Sequence, residues 1–146
     1  MTSPNVASTH AYLRAVASMG SFEEVAQFFT PDVIFQEFPN RISPHGRVSR
    51  AAEMQTGYEN GRAIMRSQVY EVKRIVESGD EIAVELDWTG VLAVPLLGLL
   101  AGTEVRAFVA MFLTFRDGKI VSQRNYDCYP PLESQAAANS GSKPSG

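Results

Sequence analysis

Phe115-Arg116-Asp117-Gly118-Lys119-Ile120-Val121-Ser122-Gln123-Arg124-Asn125-Tyr126-Asp127 reads as the end of one strand, a tight turn and a second strand. Asp-Gly between apolar runs is a strong hairpin signal, because the glycine supplies the positive φ that such a turn needs. In the strand after the turn, side chains two apart share a face. The frame Val121, Gln123, Asn125, Asp127 therefore carries one face from apolar to increasingly polar. Turned inward, that face places amides and a carboxylate at the inner edge of a sheet, where desolvation shifts the acidity of a carboxyl group. The hairpin thus marks an antiparallel sheet and a pocket together.

Working outward, the strand before the turn runs from Glu104 to Phe115. Val105, Ala107, Val109, Met111, Leu113 and Phe115 form one face, and Phe108, Ala110 and Phe112 lie on the other. A strand apolar on both faces is covered on both. Helices on one side and a partner subunit on the other would do this, so a homodimer through the outer face of the sheet is expected. Gln68 to Glu77 is a further strand, Ser78-Gly79-Asp80 a turn, and Ile82, Val84, Leu86 and Trp88 the core set of the next strand, which turns Asp87 outward.

The first quarter is helical. Val6, Tyr12, Leu13, Val16 and Met19 fall mostly at helical spacing, with Gly20 as the expected C-terminal cap. Ser21 and Glu24 form a capping-box pattern that opens a short helix carrying Phe22, Val25, Ala26, Phe28 and Phe29 and stopping before Pro31. Asp32 to Phe38 alternates as a short strand with Val33, Phe35 and Glu37 on one face. Asn40 to Arg47 is a polar loop, and Ser49 to about Met65 a third helix weakened by Gly57 and Gly61. Helices first and a strand meander after them predict an α+β fold.

Bulk composition narrows the function. At 146 residues, 45% hydrophobic and 20% charged, the chain suits one globular domain, expected over 1–132, while 133–146 has the Ser/Ala/Gly/Lys/Pro makeup of a disordered tail. A net charge of −3 without a basic run argues against nucleic acid. Cys128 is the only cysteine, and His10 and His45 are far apart in sequence, so neither a disulfide nor a metal motif is expected, and no cofactor is called for. The opening Met1 to Asn5 lacks a basic start and an apolar core, so no secretory signal is expected and cytoplasmic residence is the default. Val91 to Ala101 is roughly half the length of a membrane span and is broken by Pro95 and Gly98. It reads instead as a lid over an apolar pocket or as a dimer contact.

Three constellations could carry chemistry. Glu37 follows Val33 and Phe35 onto the inward face, and a carboxyl among apolar neighbours can act as acid or base near neutral pH. Asn125 and Asp127 share a strand face, where the carboxylate can accept a proton and the amide can orient a substrate oxygen. His45, between Pro44 and Gly46, reads as an exposed loop residue that could lie over the pocket mouth.

The order of elements, with the Phe-x-Asp-Gly-Lys-Ile…Tyr-Asp run at 115–127 and Phe28-Phe29-Thr30-Pro31-Asp32-Val33, resembles the NTF2-like superfamily and its SnoaL-like, polyketide cyclase-like branch. The resemblance covers about Ala7 to Pro131. It implies three N-terminal helices on a curved, mostly antiparallel sheet, a cone-shaped fold with an internal pocket, in a homodimer. The superfamily includes ketosteroid isomerases, limonene-epoxide hydrolases, cyclases, dehydratases and catalytically silent modules, so the fold does not fix a reaction. Glu37 resembles the position of the isomerases' base, and Tyr12 their hydroxyl donor, with a plain core-edge tyrosine as the alternative. The isomerases' second oxygen-holding donor would fall near Met111, and a thioether donates no hydrogen bond. Asn125 stands where the epoxide hydrolases keep an acid, and Glu85-Leu86-Asp87 lacks their Arg-x-Asp pattern. Efficient isomerisation and epoxide hydrolysis are both disfavoured on these grounds.

The resulting expectation is an apolar pocket lined by Phe35, Met54, Tyr58, Val109, Met111 and Leu113, with Glu37, Gln123, Asn125 and Asp127 as its polar groups. Its ligand would be a small apolar molecule bearing a carbonyl or hydroxyl. As an enzyme the protein would perform cofactor-free acid/base chemistry of the isomerase, cyclase or dehydratase type. Glu37 or Asp127 would move the proton, and Asn125 or Tyr12 would hold the oxygen. The alternative is a non-catalytic dimeric ligand-binding or assembly module.

Overall fold

The computed structural model describes residues 2–132, so the tail expected at 133–146 lies outside the described residues. In chain order the elements are α1 (Pro4–Ala17), α2 (Phe22–Ala26), β1 (Phe29–Glu37), β2 (Arg47–Ser49), α3 (Ala51–Ile64), β3 (Met65–Ser78), β4 (Glu81–Leu92), β5 (Glu104–Arg116) and β6 (Lys119–Cys128). The six strands form one sheet in the order β2-β1-β6-β5-β4-β3. Among the described residues, only the β1–β6 pairing is parallel. With three helices against a mostly antiparallel sheet, the fold is α+β, as the alternation of its strands dictates.

Helix boundaries depart from the sequence reading. α1 opens as expected of Ser-Pro: Ser3 accepts a hydrogen bond from the Val6 N–H at 3.1 Å, and Pro4 needs no donor in the first turn. It ends at Ala17, however, and Met19, not Gly20, takes the left-handed conformation at φ 58°. Ser21 is the N-cap of α2, but its side chain makes no capping bond; its backbone carbonyl accepts from Glu24 N–H instead. The helix stops at Ala26 and β1 starts at Phe29, so Pro31 lies inside a strand expected to begin after it. The ladder explains this: pairing to β6 jumps from Phe29–Ile120 to Ile34–Ser122, and no ladder partner is left wanting a donor at Pro31. β2 stands where a loop and then a helix start were expected; three residues are too few to show a period.

The Asp-Gly hairpin forms as read. Asp117 (φ 51°) and Gly118 (φ 80°) are both left-handed, as the tight β5–β6 connection requires. One step beyond it the inward frame needs correction. Thr114 pairs with Ser122 but Phe115 with Ile120, so Val121 is an extra, bulged residue. Ile120, fully buried, therefore occupies the core position expected for Val121, and the inward set is Ile120, Gln123, Asn125, Asp127.

The main core lies between the helices and the inner face of β4, β5 and β6, around Leu86, Leu113 and Ile120. A second cluster joins Leu92, Leu99 and Val105 to Met65, Trp88 and Tyr129. Thus the inner side of the 91–101 segment covers apolar groups, while Leu97 and Leu100 at its tip are exposed. On the outer face of the sheet, Phe108, Phe112 and Tyr126 remain exposed. Asp87 faces that side, 3.7 Å from Lys73 and 3.6 Å from Arg106. Among the described residues, no helix is long and apolar enough to cross a membrane.

Candidate functional site

Strand register builds the site. Across β1, β6 and β5, Phe35, Gln123 and Leu113 form one cross-strand row, and Glu37, Asn125 and Met111 form the next. Asp127 continues the row opposite Val109. The parallel insertion of β1 next to β6 is what brings Glu37 to the strand carrying Asn125 and Asp127.

Two chambers open over this row. The first, about 210 Å³, is bordered by Tyr12, Phe35, Met54, Tyr58, Met111 and Gln123. The second, about 320 Å³, is bordered by Glu37, Asp127, Val109, Tyr70, Trp88 and Tyr129. Phe35, Tyr70 and Asn125 border both, so the chambers adjoin. Leu113, expected at the pocket wall, is instead fully buried in the main core beside its cross-strand neighbour Gln123 and borders neither chamber. His45 is exposed on its loop and borders neither chamber.

The polar groups are linked in one direction. The Tyr12 hydroxyl donates to Gln123 Oε1 at 2.6 Å, and Gln123 Nε2 donates to Asn125 Oδ1 at 3.0 Å. The Tyr12 proton is thereby committed to Gln123, and burial pushes its pKa up. The chain of bonds ends on Asn125 Oδ1, and Asn125 borders both chambers. The Tyr58 hydroxyl donates to the Gly20 carbonyl at 2.8 Å, which ties α3 to the turn after α1.

Asp127 differs from all of these. Its Oδ1 is buried without a hydrogen-bond partner. Desolvation, reinforced by repulsion from Glu37, raises its pKa from 3.8 to about 6. Two tyrosines surround it: burial, together with the Asp127 charge, pushes the hydroxyls of Tyr70 and Tyr129 upward, and Glu37 adds to the effect on Tyr129. Both therefore stay protonated and able to donate. The arrangement is a carboxyl group poised near neutrality, a second carboxylate beside it and hydroxyl donors within the same chamber. Among the described residues, no group of His, Cys, Asp and Glu side chains is clustered to hold a metal ion.

Residues 9–123 match the SnoaL-like domain. The chain belongs to the SnoaL-like family. Solved structures with the same fold include AclR of Streptomyces galilaeus, assigned as a hydroxylase: 19% identity, TM-score 0.74, covering 92% of this chain and 96% of that one. IdmH of Streptomyces antibioticus, assigned as a polyketide cyclase, is 18% identical with a TM-score of 0.74, covering 94% and 98%. An LEH-like epoxide hydrolase of M. tuberculosis is 14% identical with a TM-score of 0.69, covering 92% and 90%. At these identities the likeness is one of fold. No curated protein sequence matches the chain.

Within this SnoaL-like fold, several site residues lay beyond the sequence reading. Tyr129 continues the frame 123, 125, 127 by one more step, and extending that period past the end of β6 would have found it. Tyr70 and Gln68 follow from alternation along β3; Gln68 accepts from Trp88 Nε1 at 3.0 Å and donates to the Val16 carbonyl at 2.9 Å, which fixes the indole at the chamber wall. Arg47 and Ser49 on β2 border the first chamber, and no periodicity announces a strand that short.

Proposed function

We propose that this SnoaL-like protein is an acid–base catalyst of the cyclase or isomerase type, acting on a small, mostly apolar substrate with an acidic C–H next to a carbonyl. The observation that carries this reading is the buried, unpartnered Asp127 carboxyl at the wall of an open chamber, with its pKa near 6. A base of that strength is ionised at neutral pH and still binds a proton well enough to return it. Proton transfer alone suffices for the chemistry.

In the first step Asp127 takes the proton as the substrate C–H bond breaks, and the electron pair moves to the carbonyl oxygen to give an enolate. Asn125 Nδ2 and the Tyr70 and Tyr129 hydroxyls are the donors available to that oxygen. In a cyclisation the enolate carbon then bonds to a second carbonyl carbon of the same molecule, and the alkoxide formed there takes the proton back from Asp127. In an isomerisation the proton returns to a different carbon. Atoms and charge balance in both, and the enzyme ends as it began. Glu37 raises the basicity of Asp127 through its charge.

Exchange of α-protons tests the base without the natural substrate. In D₂O at pH 7.5, the protein should accelerate α-H/D exchange of 2-tetralone above the buffer rate. Asp127→Asn should reduce the acceleration at least about 100-fold. Equal rates for the two proteins would sink the proposal.

The non-catalytic reading draws on a different observation. In the first chamber, Tyr12, Gln123 and Asn125 satisfy one another, as in a preformed binding wall. In either case we propose a homodimer through the outer face of the sheet. There Phe38 stacks on Tyr126 at 4.3 Å, Phe112 meets Tyr126 edge-on, and Arg124 lies over Phe112.

A further inference from the structure

The first chamber has one charged residue on its border. Arg47 opens β2, and among the described residues its guanidinium makes no hydrogen bond or ion pair. Glu37 is its cross-strand neighbour on β1, but the two are not ion-paired, and no carboxylate borders this chamber. Two residues on, and so on the same face of the strand, Ser49 is 1% exposed. Its Oγ has no hydrogen-bond partner, a costly state for a buried hydroxyl unless something else satisfies it.

A third feature points to the same place. Gly57 weakens the interior of α3, where most residues would make a better helix. A Cβ at that position would stand 2.9 Å from Nη2 of Arg47. The bare backbone of α3 is what lets the guanidinium lie against the helix at the chamber edge.

We propose that the first chamber is a carboxylate-binding subsite. Arg47 and Ser49 hold the carboxylate of an aromatic or polycyclic acid whose ring packs among Phe29, Phe35, Met54 and Met111. A planar guanidinium meets a carboxylate with two parallel N–H bonds, and the serine hydroxyl donates a third. An apolar cavity of about 150 Å³ holds benzene, so 210 Å³ accommodates a substituted ring. The chambers adjoin at Phe35, Tyr70 and Asn125, so a ligand anchored at Arg47 can extend its carbonyl toward Asp127. That last step rests on the acid–base reading; the subsite itself does not.

Calorimetric titration with 2-naphthoate and with 2-naphthamide, its neutral counterpart of the same shape, tests the subsite. The full-length protein should bind the carboxylate at least about tenfold more tightly than the amide, with the difference shrinking in high salt. Arg47→Met should lower naphthoate affinity to that of naphthamide and leave the amide unchanged, with Arg47→Lys intermediate. Gly57→Ala separates the site from the fold: its thermal midpoint should rise while naphthoate affinity falls. Equal affinity of the two ligands for the unaltered protein, no saturable naphthoate binding, or unchanged naphthoate binding in Arg47→Met would each overturn the proposal. Unchanged proton exchange in Asp127→Asn would instead defeat the acid–base reading and leave the subsite standing.

Discussion

At the scale of single residues, the proposed chemistry rests on Asp127 because three circumstances coincide on it. It is desolvated, it faces Glu37, and its Oδ1 has no hydrogen-bond partner to compensate. Its raised pKa makes a stability prediction with a definite sign. The folded state holds the Asp127 proton more tightly than the unfolded chain does. The associated stability is therefore fully present below pH 3.8 and is lost as pH rises through about 6. The loss is on the order of 2–3 kcal/mol, so Asp127→Asn, which has no charge to bury, should melt above the unaltered protein at pH 7.5 and lose that advantage at pH 4. Thermal melts at the two pH values check it. Activity should run the other way: kcat/KM should rise with pH through about 6 as the base ionises. Asp127, Asn125 and Gln123 were legible as an inward set from alternation alone. The Tyr12–Gln123–Asn125 relay was not, because a hydrogen bond between positions 111 residues apart has no local signature.

At the scale of elements, the β5–β6 hairpin and the core face of β4 could be read from the sequence because each is a local period ended by a turn residue. What escaped was set by neighbours. Val121 alternates as well as Ile120 does, and only the ladder to β5 shows which of them is the bulge. Pro31 stops helices in most contexts, yet here it lies in a strand whose partner leaves that stretch unpaired. Leu113 was expected at a ligand surface; full burial in the main apolar cluster makes it a core residue. Leu113→Ala should therefore cost about 2–5 kcal/mol in denaturant unfolding, far more than a side chain facing an open chamber would.

At the scale of the whole molecule, the outer face of the sheet leaves Phe108 47%, Phe112 36% and Tyr126 44% exposed, a contiguous aromatic surface that a second copy would cover. Light scattering should give twice the mass of one chain, and Phe112→Asp should reduce it to one. A monomer before substitution would remove the dimer from the account. The inner face was predictable in kind and unpredictable in assembly, since the parallel placement of β1 beside β6 is a long-range choice that no stretch of the chain encodes by itself. That placement sets Glu37 beside the polar row, where its charge adds to the desolvation that raises the Asp127 pKa, so one titration reports on both. The ¹³Cγ shift of Asp127 should titrate with a midpoint near 6 and move toward the ordinary carboxylate range in Glu37→Gln. A midpoint near 3.8, unmoved by that substitution, would contradict the central claim that this SnoaL-like chamber holds a buried base.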